Sequence, residues 1–193
     1  MATTPNNTEN VSVGKGVSGG YMFAAPLGST LPTDNSTALN AAFLNIGYLG
    51  EDGISFADSS DTTNHFDMNG DTVEISNGSI EKSFTVTPLE IKKDQLALLY
   101  GTANVTDADG VITVHDKGPS DAQWVVVFEL LLKNGRKWRR IVPTCKLGEL
   151  GDMSVNFSEL VGREVTMSAL KDATTGDYYV DYIDSTETEA SEG

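Results

Sequence analysis

The sequence predicts a mainly β protein: an antiparallel β-sandwich or barrel with one flanking α-helix and a second short helix. Three observations carry this. Several segments of seven or eight residues alternate apolar and polar side chains at period two. Turn residues, above all Gly, Asn and Asp, separate those segments. Helical spacing occurs in only two short stretches.

Residues 1–12 are polar and read as a flexible N-terminal arm. The main domain spans 13–184, and 185–193 form an acidic tail without apolar partners. Ser36 to Phe43 follows two capping residues, Asp34 and Asn35, and is the short helix, contributing Leu39, Ala42 and Phe43. Residues 57–71 (ADSSDTTNHFDMNGD) are polar and long for a connection, so they read as a loop projecting from the body. Ser83 to Leu89 is a strand with Phe84 and Val86 inward. Lys92 to Tyr100 is the flanking helix, carrying Leu96, Leu99 and Tyr100, with Gly101 as its C-terminal cap. Its lysines stand at the N-terminus against the helix dipole, so packing must hold it.

Asp109-Gly110 marks a turn before the strand Val111 to Val114. Gln123 to Lys133 (QWVVVFELLLK), Asn134-Gly135 and Arg136 to Thr144 form a hairpin, since Asn-Gly supplies the positive φ that a type I′ turn needs. Trp124, Val126, Phe128 and Leu130 share one face of its first strand. Val125, Val127 and Leu131 share the other, so both faces need cover, from this subunit or a neighbour. Arg163 to Leu170 turns Val165, Met167 and Ala169 inward. The last strand places Tyr178, Val180 and Tyr182 opposite Tyr179, Asp181 and Ile183.

At 193 residues the chain suits one domain, which buries roughly 70% of its unfolded surface. One cysteine, Cys145, excludes an internal disulfide framework. No apolar run reaches transmembrane length, and MATTPNNTEN lacks a secretory pattern. The net charge of −15 repels phosphate, which argues against sequence-specific DNA binding.

No catalytic set stands out. Gly14-Lys15-Gly16 with Gly19-Gly20 departs from the phosphate-binding loop, which ends in Gly-Lys-Ser/Thr before a helix; a kinked or tightly packed strand fits better. Counting a calcium loop from Asp67 places Thr72 and Gly78 where Gly and Glu are required. His65, His115 and Cys145 lack zinc spacing, and no metal or cofactor is expected. The basic cluster Lys133, Arg136, Lys137, Arg139 and Arg140 holds five of the 13 basic residues. It reads as an electropositive face for an acidic face of another protein, including a further copy of this chain.

Val13-Gly14-Lys15, Ala25-Pro26-Leu27-Gly28-Ser29, Leu31-Pro32-Thr33-Asp34 and Gly47-Tyr48-Leu49-Gly50-Glu51-Asp52-Gly53 follow one another in an order and spacing that resembles the siphophage major tail proteins. Leu99-Tyr100-Gly101 is also similar. The resemblance covers most of the chain and is strongest in its first third. It implies a fold related to the type VI secretion tube protein and a non-enzymatic virion subunit. Six subunits would form a ring, and stacked rings a hollow tube through which phage DNA passes without specific binding. Self-contacts, the tape measure protein, the tail terminator and distal tail or baseplate proteins are the implied partners, with no membrane. The candidate assembly contacts are Asp58, Asp61, His65 and Asp67 in the projecting loop, and Glu129, Arg136, Lys137, Arg139 and Arg140 in the hairpin. The alternative is another β-rich phage module, for capsid decoration or carbohydrate binding.

Overall fold

Residues 6–118 and 120–185 are described by the computed structural model. In chain order they form β1 (Lys15–Gly16), β2 (Met22–Pro26), β3 (Leu44–Asn45), β4 (Leu49–Phe66), β5 (Thr72–Pro88), α1 (Lys93–Tyr100), β6 (Val105–Ala108), β7 (Val111–Val114), β8 (Gln123–Leu131), β9 (Lys137–Met153), β10 (Arg163–Ala169) and β11 (Val180–Ile183). Nine strands make one sheet in the order β3-β2-β8-β9-β10-β5-β4. Along one edge of β8, β1 joins β2; along one edge of β9, β11 joins β10. Every pairing is antiparallel, as the alternating patterns predict. The hairpin β6-β7 stands apart and turns at Asp109-Gly110, both at positive φ.

The sheet curls on itself. In strand order β9, β10 and β5 separate β8 from β4, yet Phe56 of β4 meets Phe128 of β8 edge-on at 5.4 Å. Phe84 completes the cluster, 5.1 Å from Phe128. Side chains complete the curl where strand pairing stops: the Leu49 N–H donates to the Tyr21 hydroxyl at 2.8 Å. Gly16 of β1 is required there, because a Cβ would lie 2.5 Å from the Tyr21 ring. Of the glycine-rich stretch, β1 is a two-residue exposed strand, and close packing is confined to Gly16 and Gly20, while Gly14 and Gly19 face open space.

The concave face holds the main core. Phe84, Val86, Trp124, Val126, Phe128, Val165, Met167 and Ala169 all point into it, as their alternation requires. Helix α1 adds Leu98 and Leu99 and ends at Gly101, φ 86°. Its N-terminus has no side-chain cap, so burial of Ala97, Leu98 and Leu99 holds it, in keeping with its unfavourable lysines.

The other face of β8 is covered by the same chain. Val125 and Val127 pack with Ala25, Ile141 and Phe43, flanked by Leu31, Leu39, Val180 and Tyr182. No neighbouring subunit is needed for that face. Residues 31–43 therefore form a strap, and the helix expected over Ser36 to Phe43 does not form. Asp34 accepts the N–H groups of Ser36 and Thr37 as a helix cap would. Then Asn40 takes the Ala42 N–H on its own side chain and the Phe43 N–H on its carbonyl, which ends any helical turn. Eight residues are too few to offset the cost of nucleation. Leu39 and Phe43 reach the sheet through turns instead, and Ala42 stays exposed.

Two further expectations change. Asn134 and Gly135 do take positive φ, 62° and 77°, but Lys133 joins them in a three-residue loop closed by Leu132 N–H to Arg136 O. That slides the register by one relative to a two-residue turn, so Glu129 faces Arg139 and Phe128 faces Arg140. Residues 57–66, read as loop, are the outer part of β4; only 67–71 form the turn to β5. Their Ser, Thr, Asp and Asn content masks a strand whose faces are both exposed, so no apolar alternation marks it.

Phe128→Ala should destabilise the fold by about 3–5 kcal/mol, because the ring is fully buried between two other aromatics. Urea unfolding measures this, and a loss below about 1 kcal/mol would contradict the curled-sheet core.

Candidate assembly surfaces

The outer parts of β4 and β5 leave the sheet as a two-stranded ribbon. β10 accompanies β5 only along Lys82 to Val86, and beyond that point β5 pairs with β4 alone. Ala57 to Phe66 is exposed throughout, and of Thr72 to Glu81 only Ser76 is half-buried. Phe66, Val73, Ile75 and Ile80 are large apolar side chains left in solvent, with Met68 at the turn.

The four candidate contacts on this ribbon all hold the ribbon itself together. Asp58 pairs with Lys82 across the strands at 2.7 Å. Asp61 accepts from Ser79 Oγ, and His65 Nε2 meets Ser76 Oγ at 2.6 Å. The Asp67 carboxylate accepts the N–H groups of Asn69 and Asp71, building the turn. Those backbone donors, Asp71 first, hold its carboxyl below the usual range.

The hairpin β8-β9 spends most of its charge within the subunit. Arg139 is buried, its Nη2 2.6 Å from Glu129 Oε1 and its Nη1 donating to the Asp34 carbonyl at 2.6 Å. It thereby ties the strap to the sheet. Arg140 lies on the opposite face, bidentate to Asp181 at 2.8 Å on both oxygens. Its guanidinium sits 4.3 Å from the centre of the Phe56 ring, 5.0 Å from Trp138 and 5.2 Å from Tyr179, a cation–π arrangement. Burial raises Asp181, but its bonds from Arg140 and Trp138 outweigh that, and its carboxyl lies below the usual range. Burial, reinforced by the Asp58 carboxylate, pushes the Tyr179 hydroxyl up to about 12. Lys133 meets Glu9, and the Lys137 backbone N–H donates to Asp184, whose other oxygen accepts from Asn35 of the strap.

The structure thus brings Glu129 and Arg139 together, and keeps Arg140 apart from both. Of the expected basic face, Arg136 and Lys137 form no ion pair among the described residues. Part of the expected arm is anchored: Thr8–Asn10 is a 3-10 turn whose Glu9 holds Lys133 and Asn134. Residues 1–5 of the arm and 186–193 of the acidic tail lie outside the described residues. Sequence reasoning missed the turn at 154–161, which exposes Val155, Phe157 and Leu160; its signal was apolar residues without an alternating pattern.

Gly16-Val17-Ser18-Gly19-Gly20 spells the Gly-x-Ser-x-Gly of a nucleophile elbow. That elbow is a strand-to-helix turn, whereas Ser18 is exposed in a turn joining β1 to β2. Among the described residues no group of His, Cys, Asp and Glu is placed to hold a metal ion, and no helix is long and apolar enough to cross a membrane.

Glu129→Ala should cost about 3 kcal/mol, since it leaves the buried Arg139 only the more distant Asp34 carboxylate at 3.8 Å, while Asp58→Ala should cost less than about 1 kcal/mol. Urea midpoints distinguish the two. Asp181 and Asp184 have folded pKa values below their unfolded ones, so their stabilisation is complete above about pH 4. It is lost as pH falls from there through the depressed values. Asp181→Asn should flatten that acid limb of the midpoint-versus-pH curve.

Two solved structures contain chains similar to this one. One is the sheath–tube complex of the extracellular contractile injection system PVC in its extended state: 12% identity, 83% of this chain and 87% of that chain covered, TM-score 0.38. Another is the tube-terminating cap of the anti-feeding prophage: 13% identity, 94% and 98% covered, TM-score 0.40. No curated protein sequence matches the chain. Over residues 4–191 the sequence matches the phage tail tube protein family, and the chain belongs to that family.

Proposed function

We propose that this tail-tube subunit closes into rings, six copies in each, that stack into a hollow siphophage tube for passage of DNA. The observation that carries the reading is the β4-β5 ribbon. Two strands without a third neighbour are marginal in water, yet this ribbon continues well beyond β10 with Val73, Ile75 and Ile80 uncovered. A neighbouring copy supplies the missing cover, and the free edge of β4 is satisfied in the same step.

The ribbon residues Asp58, Asp61, His65 and Asp67 act in this reading by shaping the contact surface. Arg136 and Lys137, with the arm at Glu9, form a second contact region. Arg139, Arg140 and Glu129 contribute by holding the hairpin rigid behind it. The tube carries out no catalysis and holds no cofactor. Six copies carry 6 × −15 = −90, so carboxylates that face the lumen keep DNA from adhering over about 8 Å. The tape measure, terminator and distal tail proteins would meet the tube lumen and its two ends, and the assembled tube resides in the virion after assembly in the host cytoplasm.

Negative-stain micrographs of concentrated protein should show rings or tubes of uniform diameter. Deleting residues 60–79 should abolish them while leaving the unfolding free energy of the domain within about 1 kcal/mol of wild type, because that segment is exposed and, among the described residues, its strands pair only within the ribbon. A strictly monomeric wild type at every salt concentration would refute the reading.

A further inference from the structure

Two apolar surfaces of opposite charge remain after the ribbon is set aside. The first is the turn between β9 and β10. The Asn156 side-chain oxygen accepts the N–H groups of Ser158 and Glu159, both at 2.9 Å, and its amide donates to Glu159 at 2.9 Å. The turn is therefore built before any partner arrives. It holds Phe157 at 103% exposure, with Val155 at 73% and Leu160 at 78% beside it. An aromatic ring in full contact with water is unfavourable in a lone subunit and suited to binding, and the ordered turn backbone leaves less conformational freedom to be lost. Asp152, at the end of β9, and Glu159, in the turn itself, are the nearest acidic residues in sequence to Phe157, and neither makes an ion pair among the described residues.

The second is an open groove of about 400 Å³ where residues 11–15 cross the end of β8, lined on its apolar side by Val11, Val13, Leu131 and Leu132. An apolar cavity of roughly 150 Å³ already accepts a benzene ring. Lys15 and Lys133 rim it, with Arg136 and Lys137 just beyond the turn. Among the described residues Glu9 and Asp184 offset two of these four charges, so the rim keeps a positive balance there. The two surfaces adjoin opposite ends of β9, Lys137 beside the groove and Met153 beside the turn, and share no residue.

We propose that the Phe157 turn of one copy docks in the Val11–Val13 groove of the next, its carboxylates against the basic rim. The inference rests on the tube reading and names a contact that reading leaves open. A knob and a socket on different parts of one chain give a head-to-tail contact, which propagates into a ring or a stack where a two-fold contact would stop at a dimer.

The test mixes Val13→Cys and Phe157→Cys, both at exposed positions; Cys145 is buried and does not compete. Under mild oxidation the mixture should form disulfide-linked pairs, and each variant alone should form almost none. Phe157→Ser should raise the concentration needed for assembly at least about tenfold with an unchanged urea midpoint. Glu159→Lys should weaken assembly, and adding Lys133→Glu should restore it. Tubes that form normally from Phe157→Ser, or cross-links between two Phe157→Cys copies, overturn the proposal and leave the tube reading intact. A wild type that never assembles overturns both.

Discussion

The fold depends on one constraint: β8 is apolar on both faces and must be covered on both. Val126 and Phe128 on one side need the curled sheet and α1, and Val125 and Val127 on the other need a second layer. Leaving either set in water forfeits about 25 cal/mol for each Å² of apolar surface. The first demand bends nine strands until Phe56 and Phe128 touch. The second draws residues 31–43 across the outer face as a strap, with the last strand β11 beside it.

Electrostatics then pins what the apolar layers bring together. The strap has little regular backbone bonding of its own, so Arg139 and Asp184 reach it through Asp34 and Asn35. On the concave side Arg140 fills the mouth of the core among three rings, neutralised by Asp181. One register choice makes both possible. With a two-residue turn, Glu129 would face Arg140, and the strap would lose its anchor; the third loop residue places each arginine on the side that holds its carboxylate.

The same economy explains what is left for partners. Charges near the core are consumed internally, whereas the ribbon, the Phe157 turn and the groove by Val13 keep apolar surface in solvent. The first two are locally ordered by their own hydrogen bonds, at Asp67 for the ribbon and Asn156 for the turn. Surfaces that are ordered before contact lose less entropy on association, which favours polymerisation of a subunit that folds first and assembles afterwards.

Taken alone, the sequence determined the β class, the inward faces of β5, β8 and β10, helix α1 with its Gly101 cap, and the turn at Asp109-Gly110. All of these follow from periodicity or from φ preferences that act within a few residues. It also carried the family, through the spacing of motifs between Val13 and Gly53. Only the tertiary structure decided that 57–66 is strand, because a ribbon exposed on both faces needs no apolar alternation. Only it decided that Leu39 and Phe43 cap a sheet in turns instead of a helix. And only it paired Arg139 with Glu129 and Arg140 with Asp181, since a one-residue shift in a loop reverses every face of the strand that follows, and no local pattern reports that shift.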